Sequence, residues 1–110
     1  MKGMPSKNLF SAVPGLSQGE SFEELLRHRN IVIERIVSTD KLKTKLYNQP
    51  QDEWVALLQG EARLELDGKE IMLCCGDTCF IPAHTPHRVI ATSAEPHCIW
   101  LAIHIFADDQ

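Results

Sequence analysis

From Ile31 onward, apolar runs alternate with short polar breaks at a spacing that suits strands rather than helices. Ile31-Val32-Ile33-Glu34-Arg35-Ile36-Val37-Ser38 is rich in β-branched residues and ends at Ser38-Thr39-Asp40. Leu42 to Tyr47 reads as a further strand, closed by the turn-like Asn48-Gln49-Pro50-Gln51-Asp52. Glu53 to Gln59 runs up to Gly60, and Glu61 to Leu66 alternates polar with apolar. Asp67-Gly68 is a hairpin turn signal, after which Lys69 to Leu73 returns to a second turn at Gly76-Asp77. Thr78 to Ile81, Arg88 to Thr92 and His97 to Phe106 complete the pattern, which predicts roughly eight short strands in an antiparallel sandwich or barrel.

Upstream the pattern changes. Ser21-Phe22-Glu23-Glu24 has the Ser-x-x-Glu spacing of a capping box, and Leu25-Leu26 follow, so a short helix is predicted over 21–28 with His28 at its end. Residues 1–20, rich in Pro, Gly, Ser and Lys, read as an irregular arm that packs Phe10 and Leu16 on a neighbouring surface. The expected organisation is an arm and short helix over 1–29, a barrel over 30–107 and a solvated tail at 108–110.

Chemistry is sought first at Gly76-Asp77-Thr78-Cys79-Phe80-Ile81-Pro82-Ala83-His84-Thr85-Pro86-His87-Arg88-Val89, where a Pro-stiffened corner between two strands carries two imidazoles. Composition narrows the setting. The 110 residues make one domain, 44% hydrophobic and 24% charged, with a formal net charge of −4. No Lys/Arg block argues for nucleic acid or an anionic membrane, and Lys41-Leu42-Lys43-Thr44-Lys45 reads as a solvated loop or edge strand. The start lacks the apolar core of a signal peptide, and no run is long enough to span a bilayer. Cys74, Cys75, Cys79 and Cys98 follow none of the usual zinc spacings; small buried thiols in a reducing cytoplasm are expected.

Two segments together resemble the cupin superfamily. Gly76, five residues, Pro82, Ala83, His84, Thr85-Pro86 and His87 are similar to the second cupin motif, with His84 where a Gly is usual. Glu53, six residues and Gly60 are similar to the end of the first motif, and counting back from Glu53 places Tyr47 and Gln49 where two histidines belong. More closely, the chain resembles small single-domain cupins with Tyr-x-Gln in place of His-x-His. The resemblance implies an all-β, antiparallel jelly-roll barrel whose motif residues point into one open mouth, commonly around a divalent metal such as Fe, Mn, Ni or Zn.

On that resemblance Glu53 and His87 are the retained ligand or catalytic candidates, with Gln49 and His84 as further metal candidates and Tyr47, Trp54 and His104 as pocket residues. A Gln carbonyl and a neutral phenol are weak ligands, so replacing two imidazoles lowers the expected metal affinity. Each residue also has a plain reading: Glu53 as a rim carboxylate bonded to Tyr47 or Gln49, His84 as a structural corner, His104 as a satisfied interior histidine, His97 and Arg88 as outward-facing. The resemblance thus implies a cupin that binds a small polar metabolite, with or without a divalent metal. The alternative is a metal-dependent oxygenase, isomerase or lyase acting on a small carbonyl or carboxylate substrate. Fold alone leaves turnover open. Cupins of this kind often pair through N-terminal strands, so a homodimer is expected.

Overall fold

Among residues 8–107, which the computed structural model describes, every regular element is a strand. In chain order these are β1 (Glu20–His28), β2 (Ile31–Ser38), β3 (Asp52–Gln59), β4 (Ala62–Leu66), β5 (Lys69–Leu73), β6 (Thr78–Ile81), β7 (His87–Thr92) and β8 (Cys98–Ile105). They form two antiparallel sheets, one ordered β1-β2-β8-β3-β6 and the other β5-β4-β7, which is a jelly-roll barrel. The expected tail at 108–110 and the first seven residues lie outside the described residues.

Alternation along the strands sets the core. Cross-strand partners share a face, so Trp100 and Ala102 of β8 lie on the same side as Ile36 and Glu34 of β2 and Leu57 and Val55 of β3. That inner face packs Val55, Leu57, Trp100 and Ala102 against Ala62, Leu64 and Leu73 of the smaller sheet. Gly60 makes the β3–β4 turn at a φ of 92°, where an added Cβ would lie 2.7 Å from Ser93 Oγ and 2.8 Å from Cys98 Sγ. A side chain is excluded there by both conformation and space.

Several expectations are corrected. The segment expected to be a helix over 21–28 is strand β1. It pairs with β2 from Glu20↔Ser38 to His28↔Ile31, and a bulge between Glu24 and Leu26 absorbs the adjacent leucines. An isolated eight-residue helix is marginal, whereas β2 offers a whole ladder of hydrogen bonds. The expected strand at 42–47 is extended loop whose only pairing is an isolated bridge from Tyr47 to His87. All four cysteines are free thiols, but Cys98 alone is buried; Cys74 and Cys75 are exposed on the turn after β5.

The irregular arm is held mainly through its backbone. Phe10 remains exposed. The carbonyls of Leu9, Ser11 and Ala12 accept hydrogen bonds from the Arg35 guanidinium at 3.1, 2.7 and 3.2 Å, and Glu23 pairs with the same group at 2.6 Å. Downstream, the Leu16 carbonyl lies 3.2 Å from Nε2 of His97, which is therefore half-buried rather than exposed as expected.

Candidate functional site

The Pro corner and the loop before β3 build the site by docking on each other. Tyr47 N–H donates to the His87 carbonyl at 2.7 Å, and His87 N–H donates to the Tyr47 carbonyl at 2.9 Å. His84 N–H donates to the Gln49 carbonyl at 2.7 Å, and Ala83 N–H to Asp52 Oδ1 at 2.8 Å. These bonds carry the Tyr-x-Gln segment alongside the histidine corner. Register then aligns Glu53 of β3 with Ile81 of β6 and His104 of β8.

The result is a cavity of about 210 Å³ in the barrel mouth. Its polar lining comprises Glu20, Glu34, Tyr47, Gln49, Glu53, His87, Arg88 and His104; Ile36, Val55, Ile81 and Trp100 are among its apolar walls. Glu53 sits at the centre and is only 7% exposed. Its Oε1 accepts a hydrogen bond from Gln49 Nε2 at 2.8 Å and lies 3.9 Å from His87 Nε2. Its Oε2 lies 3.9 Å from His104 Nε2, beyond hydrogen-bond reach, and accepts no hydrogen bond among the described residues.

The two imidazoles have different partners. His87 Nδ1 lies 2.9 Å from the Thr85 carbonyl, an acceptor only, so Nδ1 carries a proton and a neutral ring would hold its lone pair on Nε2, the nitrogen turned toward Glu53. The His87 ring stacks on Tyr47 with centroids 5.7 Å apart, and the Lys45 ammonium lies 5.0 Å from the Tyr47 ring centroid. His104 Nε2 donates to Glu34 Oε1 at 2.8 Å, while Nδ1 meets the Gln51 side-chain amide at 3.2 Å. The Glu34 hydrogen bond pushes the His104 pKa up, burial opposes it, and the Glu53 charge adds to the rise. Burial first, then the carboxylates of Glu20, Glu53 and Glu34, push the Tyr47 phenol up. Cys79, behind Glu53, is raised by burial and by that carboxylate.

Of the residues singled out by sequence, Tyr47, Gln49, Glu53, His87 and His104 meet around this cavity. His84 does not line it; it is exposed at the corner with a φ of 61°. Trp54 lies on the other face of β3, in register with Phe80 and Ile103. Arg88 is held by Glu65 at 2.8 Å. Sequence reasoning missed Glu20 and Glu34. Glu34 had one signal, a carboxylate sharing strand parity with Val32 and Ile36 in an apolar run, whereas Glu20 fell within the expected arm and had none. Glu20 Oε2 accepts from Ser38 Oγ at 2.8 Å, and Ser38 Oγ accepts from Trp100 Nε1 at 3.1 Å.

The donor set does not fit a tight transition-metal centre. Among the described residues no group of three or more His, Cys, Asp or Glu is arranged to hold an ion. His104 Nε2 has its proton directed at Glu34, and Glu53 Oε1 is already bonded to the Gln49 amide. Of the motif residues, that leaves the His87 Nε2 lone pair and Glu53 Oε2 as unengaged donors, too few for such an ion.

A family model described as a cupin domain matches residues 39–104. A comparison with curated proteins gives no match. Among solved structures, the chain is similar to a protein from Ralstonia eutropha JMP134 described as a candidate mannose-6-phosphate isomerase. The two share 35% identity over 94% of this chain and 100% of that one, with a TM-score of 0.82. A cupin superfamily protein from Desulfitobacterium hafniense DCB-2 shares 22% identity over 96% of this chain and 97% of that one, with a TM-score of 0.79. An RmlC-like cupin from Shewanella frigidimarina NCIMB 400 shares 16% identity over 96% of this chain and 93% of that one, with a TM-score of 0.76. The last two show the fold alone.

Proposed function

The chain belongs to the cupin family, and from that premise we propose that it holds a small metabolite in the mouth of its barrel through Glu53, His87 and their neighbours, without a tightly bound metal. The observation that carries this reading is Glu53 itself. A carboxylate that is 7% exposed, whose Oε2 accepts no hydrogen bond among the described residues and faces the cavity, is placed to receive a ligand donor. A ligand donor placed against Oε2 would form a charge-assisted hydrogen bond there. The surrounding walls supply apolar surface, and His87 Nε2 supplies an acceptor.

The test is binding, read with amide and indole NMR signals of the full chain against small-metabolite mixtures. The expected result is shifts grouped at Tyr47, Glu53, His87 and Trp100. Affinity in Glu53→Gln should fall about tenfold, the weight of one charge-assisted hydrogen bond. No shift at those positions would overturn the reading. Metal analysis of protein purified without a His tag is expected to give well under one equivalent; stoichiometric metal lost in His87→Ala would overturn the metal-free part.

A second reading is favoured by the placement of Glu53 with an imidazole 3.9 Å from each of its oxygens. In an isomerase, Glu53 would take a proton α to a carbonyl and return it to the neighbouring carbon, while His87 Nε2 moves the hydroxyl proton. The description of the Ralstonia relative points the same way. Its phosphorylated sugar suits this cavity poorly, because the only guanidinium in the lining, Arg88, is already paired with Glu65. Deuterium entering the α position of a sugar phosphate in heavy water would establish this reading, and its absence at high enzyme concentration would sink it.

A further inference from the structure

Resting on the reading of the mouth as a ligand site, we propose that its ligand is a cation, a small molecule with a protonated amine on an apolar body. The amine would be taken up at Glu53 and the body would lie against Trp100 and the aliphatic walls.

The lining sets this class. Three carboxylates, Glu20, Glu34 and Glu53, face the cavity, and the formal cations near them are already engaged. Glu34 is hydrogen-bonded to His104, and Glu65 is paired with Arg88. Lys45 sits over the Tyr47 ring and does not line the cavity. Glu20 and Glu53 have only neutral hydrogen-bond partners, the Ser38 hydroxyl and the Gln49 amide. Three carboxylates line the mouth with only the imidazoles of His87 and His104 beside Glu53 and Glu34, and inside low-dielectric walls this excess of negative charge focuses a negative potential there. The phenol of Tyr47 and the thiol of Cys79 register that field, because neighbouring carboxylates add to burial in holding each in its neutral form. A bound carboxylate or phosphate would meet the same repulsion.

The walls exclude the other neutral class. Ile36, Val55, Leu64, Ile81 and Val89 offer no hydrogen bonds, so a polyol would leave hydroxyls unpaired there. An ammonium group would donate to Oε2 of Glu53, which accepts no hydrogen bond among the described residues, while its apolar body lies on these walls.

The experiment compares benzylamine, benzyl alcohol and benzoate, matched in ring and differing in charge, together with mannose 6-phosphate. Each is titrated into the isotope-labelled full chain at neutral pH. Benzylamine is expected to move the Trp100 indole and the amides of Glu53 and His87, binding about tenfold more tightly than benzyl alcohol. The same margin should disappear in Glu53→Gln and shrink in Glu20→Gln, the second variant covering a folding defect in the first. Benzoate is expected to leave these signals unmoved. Benzyl alcohol, benzoate or mannose 6-phosphate binding at the mouth as tightly as the amine would overturn the cationic class while leaving the mouth a ligand site. An amine affinity unchanged in both variants would overturn it too. If no probe moves the mouth signals, the ligand-site reading fails and this inference fails with it.

Discussion

One proton, shared between His104 and Glu34, links the charge of the mouth to pH. Because Glu34 accepts from Nε2 at 2.8 Å, the folded protein favours imidazolium more than the unfolded chain does. The folded pKa is raised, so this stabilisation is complete below the ordinary histidine range and is lost as pH rises through the folded value. Denaturation midpoints should therefore fall across that window. Glu34→Gln should remove the pH-dependent part and lower stability by about 1–3 kcal/mol at the acidic end. An NMR titration of His104 checks the sign directly; a pKa at or below the ordinary value would refute it. The same pair shows where sequence reading stops. Motif spacing alone brought Glu53 and His87 to one place, and both line the cavity. Parity with Val32 and Ile36 hinted that Glu34 faces inward, but its partner came only from the pairing that sets Val32 against His104 and Glu34 against Ala102.

At the scale of elements, local and long-range signals disagreed twice, at β1 and at 42–47. The capping-box spacing of Ser21 and Glu24 is a real helix signal, but the open edge of β2 outweighs it by offering a long antiparallel ladder. The strands around Gly60 and Asp67-Gly68 were legible because their turns are written locally, whereas 42–47 has strand-like residues but pairs only at Tyr47, through the single bridge to His87. Two element-level predictions follow from contacts that sequence did not show. Gly60→Ala strains a φ of 92° and sets a Cβ 3.2 Å from the Cys98 main chain, which cannot swing away. It should cost about 1–3 kcal/mol in chemical denaturation, and a neutral result would mean that the β3–β4 turn yields easily. Arg35→Ala removes the buried cation that holds the Leu9, Ser11 and Ala12 carbonyls. A loss of about 2–4 kcal/mol is expected, together with faster protease cleavage between residues 8 and 16. Unchanged cleavage would show that the arm is held by other contacts.

Over the whole molecule, β3 divides the chemistry from an apolar face. Glu53 and Val55 point into the cavity, while Trp54, from the opposite side of the strand, lies in register with Phe80 on β6 and Ile103 on β8. Ile103 in turn is paired with Ile33 on β2, so an apolar band crosses the outside of the five-stranded sheet. Phe80 within it is 50% exposed, more than a large aromatic group in a band of this kind is expected to leave to water. A second copy related by a two-fold axis would cover the band with its own equivalent and leave both mouths open. Sedimentation at micromolar concentrations is therefore expected to give the mass of two chains, and Phe80→Glu the mass of one. Because Trp54 and Phe80 lie across the sheet from Glu53, that variant should keep its affinity for a mouth ligand. A single-chain mass for the unaltered protein would remove the pairing, and a loss of ligand binding in Phe80→Glu would show that the two faces of the sheet are coupled.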